Sequence, residues 1–275
     1  MPIPTLALNA GGPIPQIGLG TWPLDDDTVI PAILIALAAG YRHVDTAVRY
    51  GNETGVGKAV AQSGVPRDEL FITSKLDGPF QGHDRALAGL DESLKRLGVD
   101  YVDLLLIHWP LPARDQYVST WRSFEKLQAA GKARAIGVSN FKPAHLERLA
   151  ADTSVVPAVN QVQLSPFTPR QAERDYAAAH GIVIESYSPI GRGRELLTAE
   201  QVQQVAARHE KSAAQVVLRW HVQQGLVPIP KSANPGRIRD NIAVYGFELD
   251  DTDLATLAEL DQGTSAAINS DHEGH

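Results

Sequence analysis

Short apolar runs alternate along this chain with longer segments whose apolar residues recur at helical spacing. The runs are hydrophobic throughout rather than at every second position, which is typical of parallel strands buried on both faces. The eight predicted strands are an opening segment that ends in IGLGTW, followed by YRHVDTA, LFITSKL, VDLLLIHWP, ARAIGVSN, PAVNQVQL, GIVIESYSP and VPIPKS. The pattern therefore predicts an α/β fold of repeated strand–helix units.

Helical segments separate the strands, and several of them stop at a glycine. The predicted helices cover residues 26–39, 53–62, 84–97, 119–130, 143–151, 169–180, 199–224 (a helical region), 235–244 and 251–260. Eight such units in roughly 250 residues indicate a (β/α)₈ TIM barrel. No linker or low-complexity segment divides the chain, so we expect one domain over residues 1–275.

The alternative architecture is an open, doubly wound parallel sheet. That fold predicts a GxGxxG turn directly after its first strand. The sequence has no such turn, since Gly51, Gly55 and Gly57 have the wrong spacing. The barrel is therefore the favoured interpretation.

Composition narrows the class of protein. The 275 residues are 43% hydrophobic and 21% charged, with a formal net charge of -7, which argues against a general nucleic-acid binder. The absence of cysteine excludes disulfides, thiolate catalysis and cysteine-ligated zinc. The start of the chain lacks the features of a signal peptide, and the most apolar helical stretch, 29–39, is too short to span a bilayer. We expect a cytoplasmic monomer with no membrane or nucleic-acid partner.

Four polar residues lie at or just beyond the ends of three predicted strands: Asp45, Tyr50, Lys75 and His108. Charged groups at the end of a buried strand are costly unless they are paired or used. In a barrel of this kind, the active site lies at the carboxyl ends of the strands. The sequence therefore predicts one polar pocket to which all four residues contribute.

A tyrosine beside a lysine has a definite chemical use. The pKa of a free phenol is about 10, and a nearby ammonium lowers it by stabilising the phenolate. Asp45 would keep Lys75 charged, His108 would orient a carbonyl oxygen, and Tyr50 would protonate that oxygen as a general acid. Because no activated serine or cysteine is evident, an external hydride donor is the economical hypothesis.

The later strands offer a place for such a donor. Ser139, Asn140 and Gln161 carry the hydrogen-bonding groups that a carboxamide requires. Tyr187 offers a flat face on which a nicotinamide-sized ring could stack. These residues predict a nicotinamide subsite.

The segment IPKSANPGRIRDN places two cations at the last strand–helix loop. Barrels commonly bind phosphate in this loop. Lys231, Arg237, Ser232 and a helix N-terminus together suit a dianionic phosphate. We therefore expect NADPH rather than NADH as the cofactor.

Seven ordered motifs resemble the aldo-keto reductase superfamily: GYRHVDTAVRYGNETGVG, FITSKL, DLLLIHWP, GVSNF, VNQVQLSP, SYSPIGRG and IPKSANPGRIRDN. The resemblance runs collinearly over residues 6–261 and is closest to short bacterial members of the 2,5-diketo-D-gluconate reductase type. It implies a catalytic tetrad of Asp45, Tyr50, Lys75 and His108. The cofactor residues that it implies are Thr21, Trp22, Ser139, Asn140, Gln161, Tyr187, Ser188, Ile190, Gly191, Lys231, Ser232, Arg237 and Asn241. The expected substrate-binding residues are Trp22, Arg49 and Trp109.

Some positions depart from the family pattern. Arg49 stands where an apolar residue is usual, and it either faces the pocket, attracting acidic carbonyl substrates, or points into solvent. Asp77 replaces a common tryptophan, which predicts a wider pocket. The polar tail after residue 261 lacks a long specificity loop, so we expect an open pocket. His272 and His275 lie in a tail that we expect to be frayed, and we predict no metal site.

The predicted function is NADPH-dependent reduction of small aldehydes, α-dicarbonyls and keto-sugars. One alternative is a nicotinamide-binding sensor or regulatory subunit without catalysis. A second is a barrel hydrolase or isomerase that uses Asp45 and His108 as acid and base. That second alternative predicts activity without a nucleotide and leaves Lys231 and Arg237 unexplained.

Overall fold

Eight parallel strands form the centre of the molecule in a computed structural model that describes residues 3–192 and 195–275. Gly193, the last residue of the SYSPIGRG motif, lies outside the described residues, as do the first two residues of the chain. The described residues form ten strands, of which the first two are a separate hairpin: β1 Thr5–Ala7, β2 Pro13–Pro15, β3 Leu19–Gly20, β4 His43–Asp45, β5 Phe71–Leu76, β6 Val102–Ile107, β7 Ala133–Ser139, β8 Val159–Gln163, β9 Val183–Tyr187 and β10 Val227–Pro228. Strands β3 to β10 pair in chain order, and every pairing is parallel. All eight predicted strands are confirmed.

Backbone hydrogen bonds join the first strand of this sheet to the last. The amide of Gly18 donates to the carbonyl of Pro228, and that of Gly20 donates to Pro230, both at 3.1 Å. Glycine is needed at position 20, because a Cβ atom there would lie 2.9 Å from the carbonyl oxygen of Ile229. The sheet is thus closed, and the predicted (β/α)₈ TIM barrel is confirmed.

Helices surround the barrel close to the predicted positions. They are α1 Asp26–Ala38, α2 Glu53–Gln62, α3 His83–Leu97, α4 Tyr117–Ala129, α5 Pro143–Asp152, α6 Gln171–His180, α7 Glu195–Thr198, α8 Glu200–His209, α9 Ala213–Gln223, α10 Pro235–Ile242 and α11 Asp251–Ala258. Short 3₁₀ turns occur at Val48–Tyr50, Arg67–Glu69, Gly78–Phe80, Pro112–Arg114 and Thr264–Ala266. None of the helices in the described part of the chain is long and apolar enough to cross a membrane.

The helical region predicted at 199–224 is two helices with a break between them. Glu210 ends α8 in a left-handed conformation, with φ of 52°. Ser212 then caps α9 by accepting a hydrogen bond from the amide of Gln215. A serine three residues before a glutamine is a capping-box signal, so the sequence did contain this boundary.

Strand β6 shows why the strands are apolar at every position. Leu105 and Ile107 pack against the helices, whereas Leu104 and Leu106 belong to a second apolar cluster inside the barrel. Side chains alternate between the two faces of a strand, and here both faces are buried.

A β-hairpin of β1 and β2 extends the chain before the barrel begins. Gly11 and Gly12 form its turn with φ of 85° and 80°, values that favour glycine. Ile14 of the hairpin joins the apolar cluster inside the barrel. The sequence analysis did not predict this hairpin, because two of the three residues in β2 are prolines, which argue against a strand.

Candidate active site

The four candidate catalytic residues meet at the carboxyl ends of neighbouring strands. Asp45 ends β4, Lys75 lies on β5, His108 follows β6, and Tyr50 ends the 3₁₀ turn after β4. The Lys75 ammonium donates to Asp45 Oδ1 at 2.6 Å, to the carbonyl of Thr46 at 2.9 Å and to the Tyr50 hydroxyl at 3.3 Å. The charge of the fully buried lysine is therefore balanced by one carboxylate and directed at one phenol.

Asp45 is held through its second oxygen and through its backbone as well. Gln161 Nε2 donates to Asp45 Oδ2 at 2.8 Å. The hydroxyl of Thr21 donates to the Asp45 carbonyl at 2.9 Å, and Thr21 is completely buried. Gln161, expected as a carboxamide ligand, thus also holds the tetrad carboxylate. Thr21 supports Asp45 from beneath and does not line the cavity.

Burial and charge act in opposite directions on the tetrad. Burial alone would lower the pKa of Lys75, but the Asp45 carboxylate and the Tyr50 phenol together raise it above its ordinary value. Burial raises the pKa of Tyr50, and the Lys75 ammonium opposes that rise. The sequence argument considered only the effect of the lysine, and burial outweighs it. Tyr50 therefore carries its proton at neutral pH.

His108 lies beside the phenol, with the two ring centroids 5.9 Å apart. Burial lowers the pKa of His108 well below its ordinary value, and the positive charges of Lys75 and Arg49 lower it further. The imidazole is therefore neutral at pH 7. A neutral ring still has one N–H with which it can orient a carbonyl oxygen.

A second polar pair lies inside the barrel near this network. His43 Nε2 is 3.0 Å from Thr73 Oγ1 and 3.5 Å from Glu185 Oε1, and all three residues are completely buried. Burial, with the Asp45 charge added, raises the pKa of Glu185 to about 8. Burial, with the Lys75 charge added, lowers the pKa of His43 to about 3. Both groups are consequently neutral over much of the pH range between those values.

A cavity of about 420 Å³ opens above the tetrad. Its lining comprises Trp22, Arg49, Tyr50, His108, Trp109, Ser139, Asn140, Gln161, Tyr187, Arg192, Ile268, Glu273, Gly274 and His275. All three predicted substrate-binding residues are in this lining. Arg49 therefore faces the pocket, where its Nη1 lies 3.4 Å from Asp77 Oδ2, although 53% of its side chain is exposed.

The side chains of one wall are hydrogen bonded to one another. Tyr187 donates to Asn140 Oδ1 at 2.9 Å, and Asn140 Nδ2 donates to the His108 carbonyl and to Ser139 Oγ, both at 3.1 Å. Ser139 Oγ donates in turn to the Gln161 carbonyl at 2.8 Å. Asn140 has φ of 64°, a left-handed conformation that asparagine tolerates better than most residues. This wall contains all the residues predicted to bind a carboxamide.

The loop after β9 makes a tight turn. Ser188 has φ of 50°, and its carbonyl accepts from the amide of Gly191 at 3.0 Å, with Ile190 half-buried between them. Arg192 follows, with its guanidinium carbon 5.6 Å from the centroid of the Trp22 ring. Sequence reasoning quoted this arginine within a motif but did not identify it as a pocket residue.

The two predicted phosphate-binding cations lie at the loop between β10 and α10. Lys231 and Arg237 are exposed, and neither side chain has an ion-pair partner within 3–192 and 195–275. Asn234 caps α10 by accepting from the amide of Arg237 at 3.0 Å, while Ser232 Oγ accepts from the amide of Asn234 at 3.1 Å. Asn241 is buried on α10. Two unpaired cations at a helix N-terminus suit a phosphate group.

The last described segment, residues 268–275, is fixed against the pocket. Asp271 bonds Lys142 Nζ at 2.5 Å and His145 Nε2 at 3.1 Å. The His275 carbonyl accepts from the amide of Gly78 at 3.1 Å. The expectation of a frayed tail is therefore wrong, since Glu273, Gly274 and His275 form part of the pocket wall. The partners of this segment lie 126 or more residues away in the chain (His145 to Asp271 is the shortest separation), so local sequence gives no sign of them.

A larger cavity, of about 690 Å³, lies at the opposite end of the barrel. Its lining includes the hairpin residues Thr5 and Pro15 and the strand-start residues Arg42, Phe71 and Arg134. It contains none of the tetrad residues. We therefore place the candidate active site in the smaller cavity.

The fold and site together define a barrel oxidoreductase of the kind that reduces carbonyl groups. The family model described as "Aldo/keto reductase family" matches residues 16–262. Over 261 residues the chain is 46% identical to 2,5-diketo-D-gluconic acid reductase B of Corynebacterium sp., with 95% of this chain and 94% of that protein covered. It is 43% identical over 270 residues to methylglyoxal reductase DkgA of Escherichia coli, with 98% of each covered. A solved structure of a Gox0644 mutant in complex with NADPH has a TM-score of 0.93 and 40% identity, with 98% of each chain covered. The chain belongs to the aldo/keto reductase family.

Proposed function

We propose that this protein catalyses NADPH-dependent reduction of small aldehydes, α-dicarbonyls and keto-sugars to alcohols. The observation that carries the proposal is the buried group in which the Lys75 ammonium lies 2.6 Å from Asp45 and 3.3 Å from the Tyr50 hydroxyl. The group borders a 420 Å³ cavity large enough for a small carbonyl compound.

The carbonyl oxygen becomes an alcohol oxygen by taking one proton, and Tyr50 supplies it. The phenol is protonated at neutral pH because burial raises its pKa. Lys75 then stabilises the phenolate that forms, since its ammonium already faces the oxygen. The neutral His108 ring donates a hydrogen bond to the carbonyl oxygen and orients it beside the phenol.

The nicotinamide nucleotide, when bound, supplies the hydride that reduces the carbonyl carbon. Ser139, Asn140 and Gln161 would hold its carboxamide, because their polar atoms already form one connected wall of the cavity. Tyr187 would face the ring. The turn of Ser188, Ile190 and Gly191 would bind the pyrophosphate. The exposed cations Lys231 and Arg237, with Ser232 and Asn241, would hold the 2′-phosphate and adenine end. A relative with the same fold has been solved in complex with NADPH, which supports NADPH as the cofactor.

Substrate preference follows from the polar rim of the cavity. Arg49 and Arg192 both line it, so we expect anionic and strongly polar carbonyl compounds to bind well. The names of two relatives, a diketogluconic acid reductase and a methylglyoxal reductase, agree with this expectation.

The test is oxidation of NADPH by the purified protein with methylglyoxal, followed at 340 nm beside a parallel assay with NADH. We expect turnover with NADPH and much weaker turnover with NADH. NADPH deuterated at the transferred position should give a product one mass unit heavier, which shows that the hydride comes from the nucleotide. Tight NADPH binding without turnover across a carbonyl panel would contradict the proposal and favour the sensor.

A further inference from the structure

Three side chains from separate parts of the chain point their ligand atoms at one another beside the pocket: Asp77, His108 and His275. Each offers one ligand atom, and the three atoms lie within 4.8 Å of one another. Asp77 Oδ1 is 3.6 Å from His275 Nε2 and 4.0 Å from His108 Nδ1. These separations are too long for hydrogen bonds.

The same three atoms are buried and lack a hydrogen-bond partner within the described part of the chain. Asp77 is 5% exposed and His108 is 7% exposed. Buried polar atoms without partners are rare in folded proteins, and each calls for an explanation such as an ion. Three of them around one point are explained together by one cation.

The facing atoms of Asp77 and His108 agree with a cation at this point. If His108 Nε2 carries the proton that the proposed reaction uses, then Nδ1 presents its lone pair towards the Asp77 carboxylate. Two lone pairs that face each other repel unless a positive ion lies between them.

The geometry is close to that of a transition-metal site. Zinc binds histidine nitrogen at about 2.0–2.1 Å and carboxylate oxygen at about 2.0–2.2 Å. Two ligand atoms of a tetrahedral ion are therefore roughly 3.4 Å apart. The 3.6 and 4.0 Å separations here need only a small contraction. Arg49 lies at the other carboxylate oxygen of Asp77, Oδ2, and leaves Oδ1 available.

We propose that Asp77, His108 and His275 form a binding site for a divalent transition-metal ion of the zinc class. Two histidines and one carboxylate are the ligand set that such ions share, and a fourth position would remain open towards the pocket. The site would tie residues 268–275 to the pocket wall. This proposal replaces the expectation from sequence that the chain binds no metal.

The experiment uses the full chain without a polyhistidine tag. The protein is treated with a chelator to remove bound metal, and the chelator is then removed. We expect calorimetry with Zn²⁺ to show one ion per chain. Co²⁺ should give visible absorption bands of a tetrahedral or five-coordinate ion. His275→Ala and Asp77→Asn should each weaken Zn²⁺ binding by about tenfold or more, because each removes one of three protein ligands.

The matched control is His272→Ala, since His272 lies on the same segment but is exposed and outside the group. It should bind Zn²⁺ as the wild type does, and Mg²⁺ should not compete, because it prefers oxygen ligands. Absence of stoichiometric Zn²⁺ binding by the wild type, or unchanged binding by His275→Ala, would overturn the proposal. Neither readout depends on turnover, so failure of the proposed reduction would leave this test intact.

Discussion

The floor and the rim of the pocket are built in opposite ways. We call Asp45, Lys75 and Gln161, with the Tyr50 hydroxyl, the floor. Lys75 and Asp45 are buried. Lys75 Nζ and both carboxylate oxygens of Asp45 have hydrogen-bond partners. We call Arg49, Asp77, Arg192 and His275 the rim. Arg49 and Arg192 are largely exposed, and Asp77 Oδ1 and His275 Nε2 lack hydrogen-bond partners in the described residues.

The difference separates the reaction from the choice of substrate. A buried, fully paired charge keeps one position and one protonation state, which proton transfer requires. The charges of Arg49 and Arg192 lie in water, where each is screened and weak, but they face the cavity. We therefore expect changes in the floor to alter kcat and stability, and changes in the rim to alter KM for particular substrates.

The largest effect is expected from Lys75→Met. Loss of the ammonium that faces Tyr50 should lower kcat by about a thousandfold, because this is within the range of rate enhancements that general acid catalysis provides. It should also lower the melting temperature, because Asp45 is left buried without its partner. Methylglyoxal turnover and thermal unfolding measure the two effects.

The double variant Asp45→Asn with Lys75→Met separates the two roles. Removal of both charges should restore much of the melting temperature while kcat stays low, since the asparagine can still accept a hydrogen bond from Gln161. Recovery of activity in the double variant would show that Lys75 serves only structure.

The next effect concerns the free energy of unfolding at high pH, which depends on the titration of Glu185. The pKa of Glu185 is raised from 4.5 to about 8 in the folded protein, so the folded state binds the proton more tightly than the unfolded state. The contribution of this group is fully present below about pH 4.5 and is lost as the pH rises through 8, with a slope of at most about 1.4 kcal/mol per pH unit.

Glu185→Gln removes this titration, so the variant should gain in free energy of unfolding relative to the wild type between pH 5 and pH 9. Urea denaturation at both pH values measures the difference. If the two proteins lose stability in parallel over this range, Glu185 is not held neutral by burial.

A smaller effect is expected at the phosphate end of the cofactor. Arg237→Ala should raise KM for NADPH by about tenfold or more, which corresponds to the free energy of one lost hydrogen bond to a charged group. KM for NADH should be unchanged. Steady-state kinetics with both nucleotides measure this. Arg239→Ala is the matched control, since Arg239 is also exposed on α10. Equal effects of the two substitutions would point to general charge rather than a 2′-phosphate site.

The smallest effect is expected at the rim. Arg49→Met should raise KM for 4-carboxybenzaldehyde by about fivefold, consistent with about 1 kcal/mol for a half-exposed charge pair. Benzaldehyde, which lacks the carboxylate, serves as the matched substrate and should be unaffected. The difference should shrink at high salt. An equal change for both aldehydes would mean that Arg49 acts through the shape of the pocket.

Most of the fold could be predicted from the sequence, because buried parallel strands and capped helices leave local patterns. Residues 53–62 were predicted as a helix with the observed bounds, and Gly98, with φ of 66°, ends α3 as expected. The hairpin was missed because its strands are three residues long and two of the three residues in β2 are prolines.

The floor could also be predicted, because its residues end apolar strands within recognisable motifs. Arg49 and Asp77 of the rim could be singled out because they lie within or beside the same motifs, but His275 could not, because its place depends on contacts between distant segments. Almost 200 residues of sequence separate His275 from Asp77, which it approaches in the fold. Asp271 is held by Lys142 and His145, which also lie far from it in the sequence. Arg192 gave no signal beyond its place in a motif. Contacts of this kind appear only when the chain is folded.

The most direct test of the central claim is Tyr50→Phe, which removes one oxygen atom from the floor. NADPH binding, measured by quenching of protein fluorescence, and methylglyoxal turnover should be compared in the variant and the wild type. We predict unchanged NADPH binding with kcat lowered by at least about a hundredfold, because only the proton donor is lost. Turnover near the wild-type rate in a variant that binds NADPH normally would contradict the account.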